Sequence, residues 1–169
     1  MVSASKIVSW PALRRVMRRA AAKRKRVVFT NGCFDLLHAG HVQLLERAKA
    51  HGDLLVVGLN SDRSVRALKG PGRPITPQRD RALVLASLAS VDFVTVFHED
   101  TPERLIAYLR PQVLVKGADW TISAVVGREI VRRAGGRVVR IPLVTGRSTS
   151  ALIAHIRRRR GVMKGDEGR

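Results

Sequence analysis

The sequence predicts an α/β fold of Rossmann-like type: a five-stranded parallel sheet with helices on both faces. Three observations predict it. Runs rich in Val, Leu, Ile and Phe recur at 27–30, 54–60, 91–97, 113–116 and 138–143, as expected of strands buried on both faces. Segments with apolar residues at helical spacing lie between these runs. The first strand, the helix after it and the second strand fit within about 35 residues, the span of a βαβ unit with a right-handed crossover.

Before the first strand, Ser9 is a candidate N-cap and Pro11 lies in the first turn of a helix running to about residue 24. Leu13, Val16, Met17 and Ala20 form its apolar stripe, and Arg14, Arg15, Arg18 and Arg19 its solvated face. The strand at 27–30 breaks at the turn signal Asn31-Gly32. A second amphipathic pattern (Val42, Leu44, Leu45, Ala48) starts at His38-Ala39-Gly40-His41, and Gly52 is placed to close it. After the strand at 54–60 a short helix gives way to the loop Gly70-Pro71-Gly72-Arg73-Pro74. A helix over 79–89 turns Ala82, Leu83, Leu85, Ala86 and Leu88 inward and leads to the strand at 91–97. Thr101-Pro102-Glu103 reads as a cap, a proline at the first helical position and an acid in the first turn. That helix ends near Arg110-Pro111, ahead of the strand at 113–116. A helix over 122–134 ends at Gly135-Gly136, the strand at 138–143 follows, and 146–150 opens a last helix through Ile156.

These elements divide the chain into an N-terminal helix at 1–24 packed on the domain, the domain itself at 25–157, and a basic disordered tail at 158–169. A chain of 169 residues, 45% of them apolar, can bury a proper core. The single cysteine, Cys33, excludes an internal disulfide and suits a reducing compartment. The N-terminus carries charge without an apolar signal region, and no run approaches the ~18 apolar residues of a membrane span. We read a cytoplasmic protein with no membrane partner. The net charge of +19 raises nucleic acid as a partner. The basic residues are spread along helix faces, dense only at 14–26 and 157–160, and no aromatic platform accompanies them. No specific nucleic-acid partner is expected.

The chemistry points to the hand-over from the first strand to its helix. Open α/β sheets bind ligands at that edge, where free N–H groups and the helix dipole favour an anion. His38 and His41 can converge there on one phosphate, and Gly40 between them lets a bulky anion approach the backbone. The pair could equally be one capping and one solvated imidazole. A closed zinc site would need four ligands, whereas His51, His98 and His155 are scattered. Cys33 reads as a small filler, since no partner that would activate a thiol is visible. The basic residues Lys69, Arg73, Arg79 and Arg81 follow the second strand on the same edge, as phosphate ligands or as a solvated loop.

The run Thr30-Asn31-Gly32-Cys33-Phe34-Asp35-Leu36-Leu37-His38-Ala39-Gly40-His41 resembles the signature of the HxGH nucleotidylyltransferases, the cytidylyltransferase-like superfamily. Leu68-Lys69-Gly70 through Arg73-Pro74, Arg79-Asp80-Arg81, Lys116-Gly117-Ala118-Asp119-Trp120 and Ser148-Thr149-Ser150 extend the resemblance over roughly 25–157. Within the superfamily the chain most resembles the adenylyltransferases that act on D-glycero-β-D-manno-heptose 1-phosphate. The resemblance implies ATP and that heptose 1-phosphate as substrates, with ADP-heptose and pyrophosphate as products. It implies His38, His41 and Lys69 as catalytic, and Arg73, Arg79 and Arg81 on the substrate phosphate. Nucleotide contacts fall to Asn31, Gly32, Cys33, Phe34, Gly40, Lys116, Gly117, Asp119, Trp120, Ser148, Thr149 and Ser150. It further implies Mg²⁺ or another divalent ion, with Asp35 as its protein contact, a homodimer, and a separate kinase for the preceding step. Arg147 stands where relatives carry an aromatic, and Ser150 where threonine is common. Glycerol 3-phosphate cytidylyltransferase is the alternative within the superfamily, and a basic nucleic-acid-interacting protein the alternative outside it.

Overall fold

Strand β1 (Val27–Gly32) lies at the centre of the sheet, flanked by β2 (Leu54–Asn60) on one side and β4 (Val113–Gly117) on the other. Strands β3 (Phe93–Phe97) and β5 (Arg137–Ile141) complete it in the order β3-β2-β1-β4-β5, and every pairing is parallel. The structure, a computed structural model, describes residues 2–118, 121–142, 149, 152–154 and 156.

Alternating side chains of the strands build two apolar layers, as the pleat requires. Val28, Leu55, Val57, Leu59, Val113 and Val115 face helices α3 (Ala39–Lys49) and α5 (Gln78–Ser87), and pack with Leu45, Ala48, Ala82, Leu85 and Ala86. Val27, Phe29, Val56 and Leu114 face the other way, toward α2 (Trp10–Ala22), α6 (Glu103–Leu109) and α7 (Arg128–Arg133). The expected stripe of α2 is confirmed in Leu13, Met17 and Ala20, all buried.

Several boundaries differ from the sequence pattern. Asn31 and Gly32 continue β1, paired with Gly58 and Leu59, so the turn begins only at Cys33. Helix α3 is capped at Ala50, two residues before Gly52; there a Cβ would stand 2.7 Å from the Arg26 carbonyl, so Gly52 serves close packing. Helix α5 turns Arg81 inward, whereas Leu83 and Val84 are exposed. Strand β3 starts at Phe93, and α6 is capped by Pro102 in place of Thr101. The helix expected over 122–134 is interrupted: a 3₁₀ turn (Ile122–Ala124) precedes α7, with Gly127 between them at φ 84°. Strand β5 ends at Ile141. The tail at 158–169 lies outside the described residues.

The N-terminal segment does more than pack a helix. Helix α1 (Val2–Ser5) leads into an arm that runs parallel to β3 and bridges Ile7 to Val94. Val94 N donates to Lys6 O and Val8 N donates to Val94 O, both at 2.9 Å. The Thr95 hydroxyl donates to Val8 O at 2.8 Å, and Trp10 Nε1 donates to Val96 O at 2.9 Å. The open edge of β3 is thereby covered, which removes a template for pairing with another chain.

The pairing of β1 with β4 positions the site. Beyond Phe29↔Leu114 the β1–β4 register ends, yet β1 continues to Gly32 and β4 to Gly117. Each stays paired with its outer neighbour, β2 or β5. The sheet therefore opens at the carboxyl ends of its two central strands, where the chain order reverses, which is the place such folds use for ligands.

Gly127→Ala should destabilise the chain by about 1–3 kcal/mol, from a left-handed φ and overpacking combined. The added Cβ would fall 2.5 Å from Ile106 Cδ1. Urea unfolding midpoints of the two proteins measure this, and equal midpoints would refute it.

Candidate active site

A tight turn carries the chain from β1 into α3. Phe34 adopts φ 44°, a left-handed conformation that is uncommon for an aromatic residue. Its buried ring lies against Gly32, where a Cβ would be 3.0 Å from Phe34 Cε2. The same ring meets His41 with centroids 5.2 Å apart. His38 has extended backbone at φ −142° and is the N-cap of α3. Its carbonyl accepts from His41 N at 2.9 Å. This turn of helix stacks the two imidazoles, with centroids 3.9 Å apart and planes inclined by 26°. The sequence-predicted pair is thus brought together at a helix N-terminus, on the edge where the sheet opens.

Burial, and then the neighbouring His38, push the His41 pKa down from 6.5 to about 4. The ring is therefore neutral at pH 7. Its Nδ1 is buried without a hydrogen-bond partner, as is Asn31 Oδ1 at the end of β1. Buried polar atoms are normally satisfied, so these two mark groups that await a ligand. Thr149 Oγ1 donates to Leu36 O at 3.3 Å, which brings Thr149 onto the same turn. Gly40 occupies the first turn of α3. Burial raises the pKa of Cys33 despite the nearby charges of Lys69, Arg81 and Arg73. Its thiol is protonated at neutral pH, which fits a filler and not a nucleophile.

The basic residues divide into two groups. Ser61 caps α4 (Asp62–Lys69), its hydroxyl accepting from Ser64 N at 3.2 Å, and this helix delivers exposed Lys69 at its last position. Arg79 is exposed on the first turn of α5. Arg73 is mostly buried and pairs through Nε with Asp35 Oδ2. Arg81 is 1% exposed, and its hydrogen bonds go to protein groups. It sits in the buried stripe of α5 with Ala82, Leu85 and Ala86, and an arginine inside an apolar stripe was the sequence signal for this role.

Asp35 does not fit the expected metal contact. Its Oδ1 accepts from Ile75 N at 2.8 Å and Thr76 N at 2.9 Å, and Oδ2 accepts from Arg73. Burial works to raise its pKa, but the bonds from Thr76, Arg73 and Ile75 outweigh burial and hold it below the usual carboxylate value. Among the described residues no three His, Cys, Asp or Glu side chains gather to hold a metal ion.

Across the opening, Lys116 and Gly117 end β4, half-buried, and Arg140 Nη2 steadies the following loop through Ala118 O at 2.9 Å. Asp119, Trp120, Ser148 and Ser150 lie outside the described residues. The exposed Lys23, Arg24, Lys25 and Arg26 directly precede β1, so they stand at the amino-terminal end of the sheet, opposite the histidines.

The cytidylyltransferase-like family model matches residues 29–155, from β1 onward. The chain belongs to the cytidylyltransferase-like family. That membership makes it a nucleotidyltransferase in class. It is 63% identical over 131 residues to bifunctional protein HldE of Mesorhizobium japonicum, covering 78% of this chain and 26% of the relative. With the bifunctional protein HldE of Geotalea uraniireducens it shares 55% identity over 155 residues, 92% of this chain and 32% of the relative. The chain thus spans about a third or less of the curated relatives it matches. The lipopolysaccharide core biosynthesis protein from Thermoplasma volcanium superposes with a TM-score of 0.62 at 26% identity, over 71% of this chain and 98% of that one. Pantoate-beta-alanine ligase from Francisella tularensis, at 15% identity and a TM-score of 0.55, shares the fold over 85% of this chain and 68% of its own.

The depressed His41 pKa gives stability a definite pH dependence. Between pH 6.5 and about 4 the unfolded chain takes up a proton that the folded ring refuses, so stability falls as pH falls through that window. His41→Gln should flatten this part of the profile. Denaturation midpoints at pH 7 and pH 5 should show a larger loss for the wild type than for the variant. Equal losses would mean the ring titrates normally.

Proposed function

We propose that the chain transfers AMP from ATP to D-glycero-β-D-manno-heptose 1-phosphate, giving ADP-heptose and pyrophosphate. The observation that carries this reading is the stacked His38–His41 pair at the opening between β1 and β4. It stands in a run of sequence shared at 51–63% identity with proteins named bifunctional protein HldE. The solved relative named for lipopolysaccharide core biosynthesis supports the same substrate class.

One phosphate oxygen of the sugar 1-phosphate attacks the α-phosphorus of ATP in line. The bond from that phosphorus to the α,β-bridging oxygen breaks, and pyrophosphate leaves with the electron pair. A phosphomonoester has a second pKa of about 6, so the nucleophile is already anionic at neutral pH and needs no base. The difficulty is to bring two polyanions together and to stabilise the charge that grows on the bridging and non-bridging oxygens. His38, His41 and the start of α3 face that charge. Neutral His41 supplies an N–H donor, and an approaching polyphosphate raises its proton affinity as charge develops. Lys69, Arg73 and Arg79 draw in the phosphates. Asn31, Lys116 and Gly117 border the nucleotide on the two sides of the opening, with Thr149 beyond the histidine turn. Mg²⁺ belongs to the substrate, carried on the triphosphate, because the oxygens of Asp35 are already engaged.

We place the reaction in the cytoplasm, where ATP is supplied, downstream of a sugar kinase that makes the 1-phosphate. A homodimer fits the exposed apolar pair Leu83 and Val84 on α5, which a second copy would cover.

Pyrophosphate release measured with ATP or CTP, against heptose 1-phosphate or glycerol 3-phosphate, tests the assignment. ATP with heptose 1-phosphate should be the productive pair; release with CTP and glycerol 3-phosphate alone would overturn it. His38→Ala and His41→Ala should each lower kcat by on the order of 10²–10³, the loss seen when one oxyanion donor is removed. Lys69→Ala should impair turnover with little change in Tm, since the side chain is exposed.

A further inference from the structure

The loop between Lys69 and α5 has little of its own to hold it. Gly70 and Gly72 take φ of 88° and 82°, with nothing within 4 Å of the position a Cβ would occupy. Pro71 and Ile75 are exposed. Beyond the turn at Pro71 and Gly72, the hydrogen bonds of the described residues at 71–76 end on two side chains. Asp35 accepts from Arg73 Nε, Ile75 N and Thr76 N, and Arg81 Nε donates to Thr76 O. Thr76 is therefore gripped at both of its backbone polar groups.

Both gripping residues are anchored in the turn after β1. Asp35 is part of that turn, and Arg81 Nη1 donates to the carbonyl of Cys33. Arg81 Nη1 also donates to Asn60 O at 3.0 Å, and Nη2 to Asp62 Oδ1 at 2.7 Å. One guanidinium thus joins the end of β1, the end of β2, the start of α4 and the loop. The five N–H donors of an arginine form a fixed fork. These four bonds leave one N–H of that fork, and with the side chain 1% exposed little of the guanidinium is open to an anion.

From this geometry we propose that Arg81 and Asp35 are positioning residues for nucleotidyl transfer. They fix the loop that follows Lys69 and presents Arg73 against the histidine turn, and Arg81 does not itself hold a phosphate. The proposal rests on the functional reading above. Its mechanical content is specific. Loosening either clasp releases the loop cation Arg73, whereas the imidazoles keep their seat at the start of α3 and against Phe34. The cost of loosening then falls on capture of the phosphate substrate more than on the chemical step.

Two conservative variants test this. Arg81→Lys keeps the charge but cannot reach four acceptors, and Asp35→Asn keeps the shape but loses an acceptor and the ion pair. Hydrogen exchange of the ligand-free proteins should be faster across 70–77 by on the order of tenfold, with the strands unchanged. In the transfer assay KM for the sugar phosphate should rise by about the same factor, and kcat should fall less. His38→Ala should show the opposite split, with kcat lost and loop exchange as in wild type. The double variant should be little worse than the poorer single one, because both residues hold one loop. Should Arg81→Lys fail to fold, Asp35→Asn carries the test alone, since it leaves the Arg81 bonds in place. Unchanged exchange at 70–77, or wild-type KM in a variant whose loop is released, would overturn the proposal. Exchange needs no substrate, so it separates failure of the clasp from failure of the functional reading, which an inactive wild type would show.

Discussion

A single left-handed residue sets the geometry of the candidate site. Phe34 at φ 44° turns the chain sharply between Cys33 and Asp35, and the surroundings hold an unfavourable conformation in place. Its ring fills the space that Gly32 leaves and borders His41. The carbonyl before it reaches Arg81, and the carboxylate after it reaches Arg73, Ile75 and Thr76. Three consecutive residues thus send one group each to the imidazoles, to α5 and to the basic loop. Without that turn, the motif's histidines and the cations after β2 would have no common reference point.

The electrostatics follow from where charge is exposed and where it is not. The histidine pair is sheltered, and His41 resists protonation because its charge would be desolvated and would face a second imidazole. The loop cations stand in two tiers. Lys69 and Arg79 meet solvent, whereas Arg73 and Arg81 are committed to carboxylates and carbonyls. An incoming polyanion therefore meets exposed charge first and the half-buried histidine pair, with His41 uncharged, afterwards. This ordering suits a reaction in which the nucleophile arrives already ionised and the enzyme must answer charge that moves along the bridging bond.

Much of the fold could be read in the sequence, because buried parallel strands write themselves as continuous apolar runs. The βαβ unit and the histidine pair follow from local pattern alone. What escaped was decided by contacts distant in sequence. Arg81 is bonded to groups up to 48 positions away, and periodicity assigns its helix face without saying that an arginine there could be satisfied. Asp35 looked like a metal contact because its neighbours are motif residues; its partners, Arg73 and the amides of Ile75 and Thr76, come from a loop 38 to 41 positions on. At the interruption Gly127 leaves no room for a Cβ beside Ile106, and no helical propensity contains that information. The arm at Lys6 to Val8 pairs with β3 across more than 80 residues, so it had no signature beyond a few apolar side chains.

That arm separates two borders that are easily taken for one. Similarity to the family begins at residue 29, inside the central strand. The hydrogen-bonded sheet begins at Lys6, whose carbonyl accepts from Val94 N. A fragment cut to the shorter border would lose the first two residues of its middle strand and leave β3 with a naked flank, ready to recruit another molecule. The piece that the family model matches is therefore smaller than the hydrogen-bonded sheet. In a longer polypeptide, whatever preceded this unit would have to attach ahead of the arm, on the side of the sheet farthest from β5.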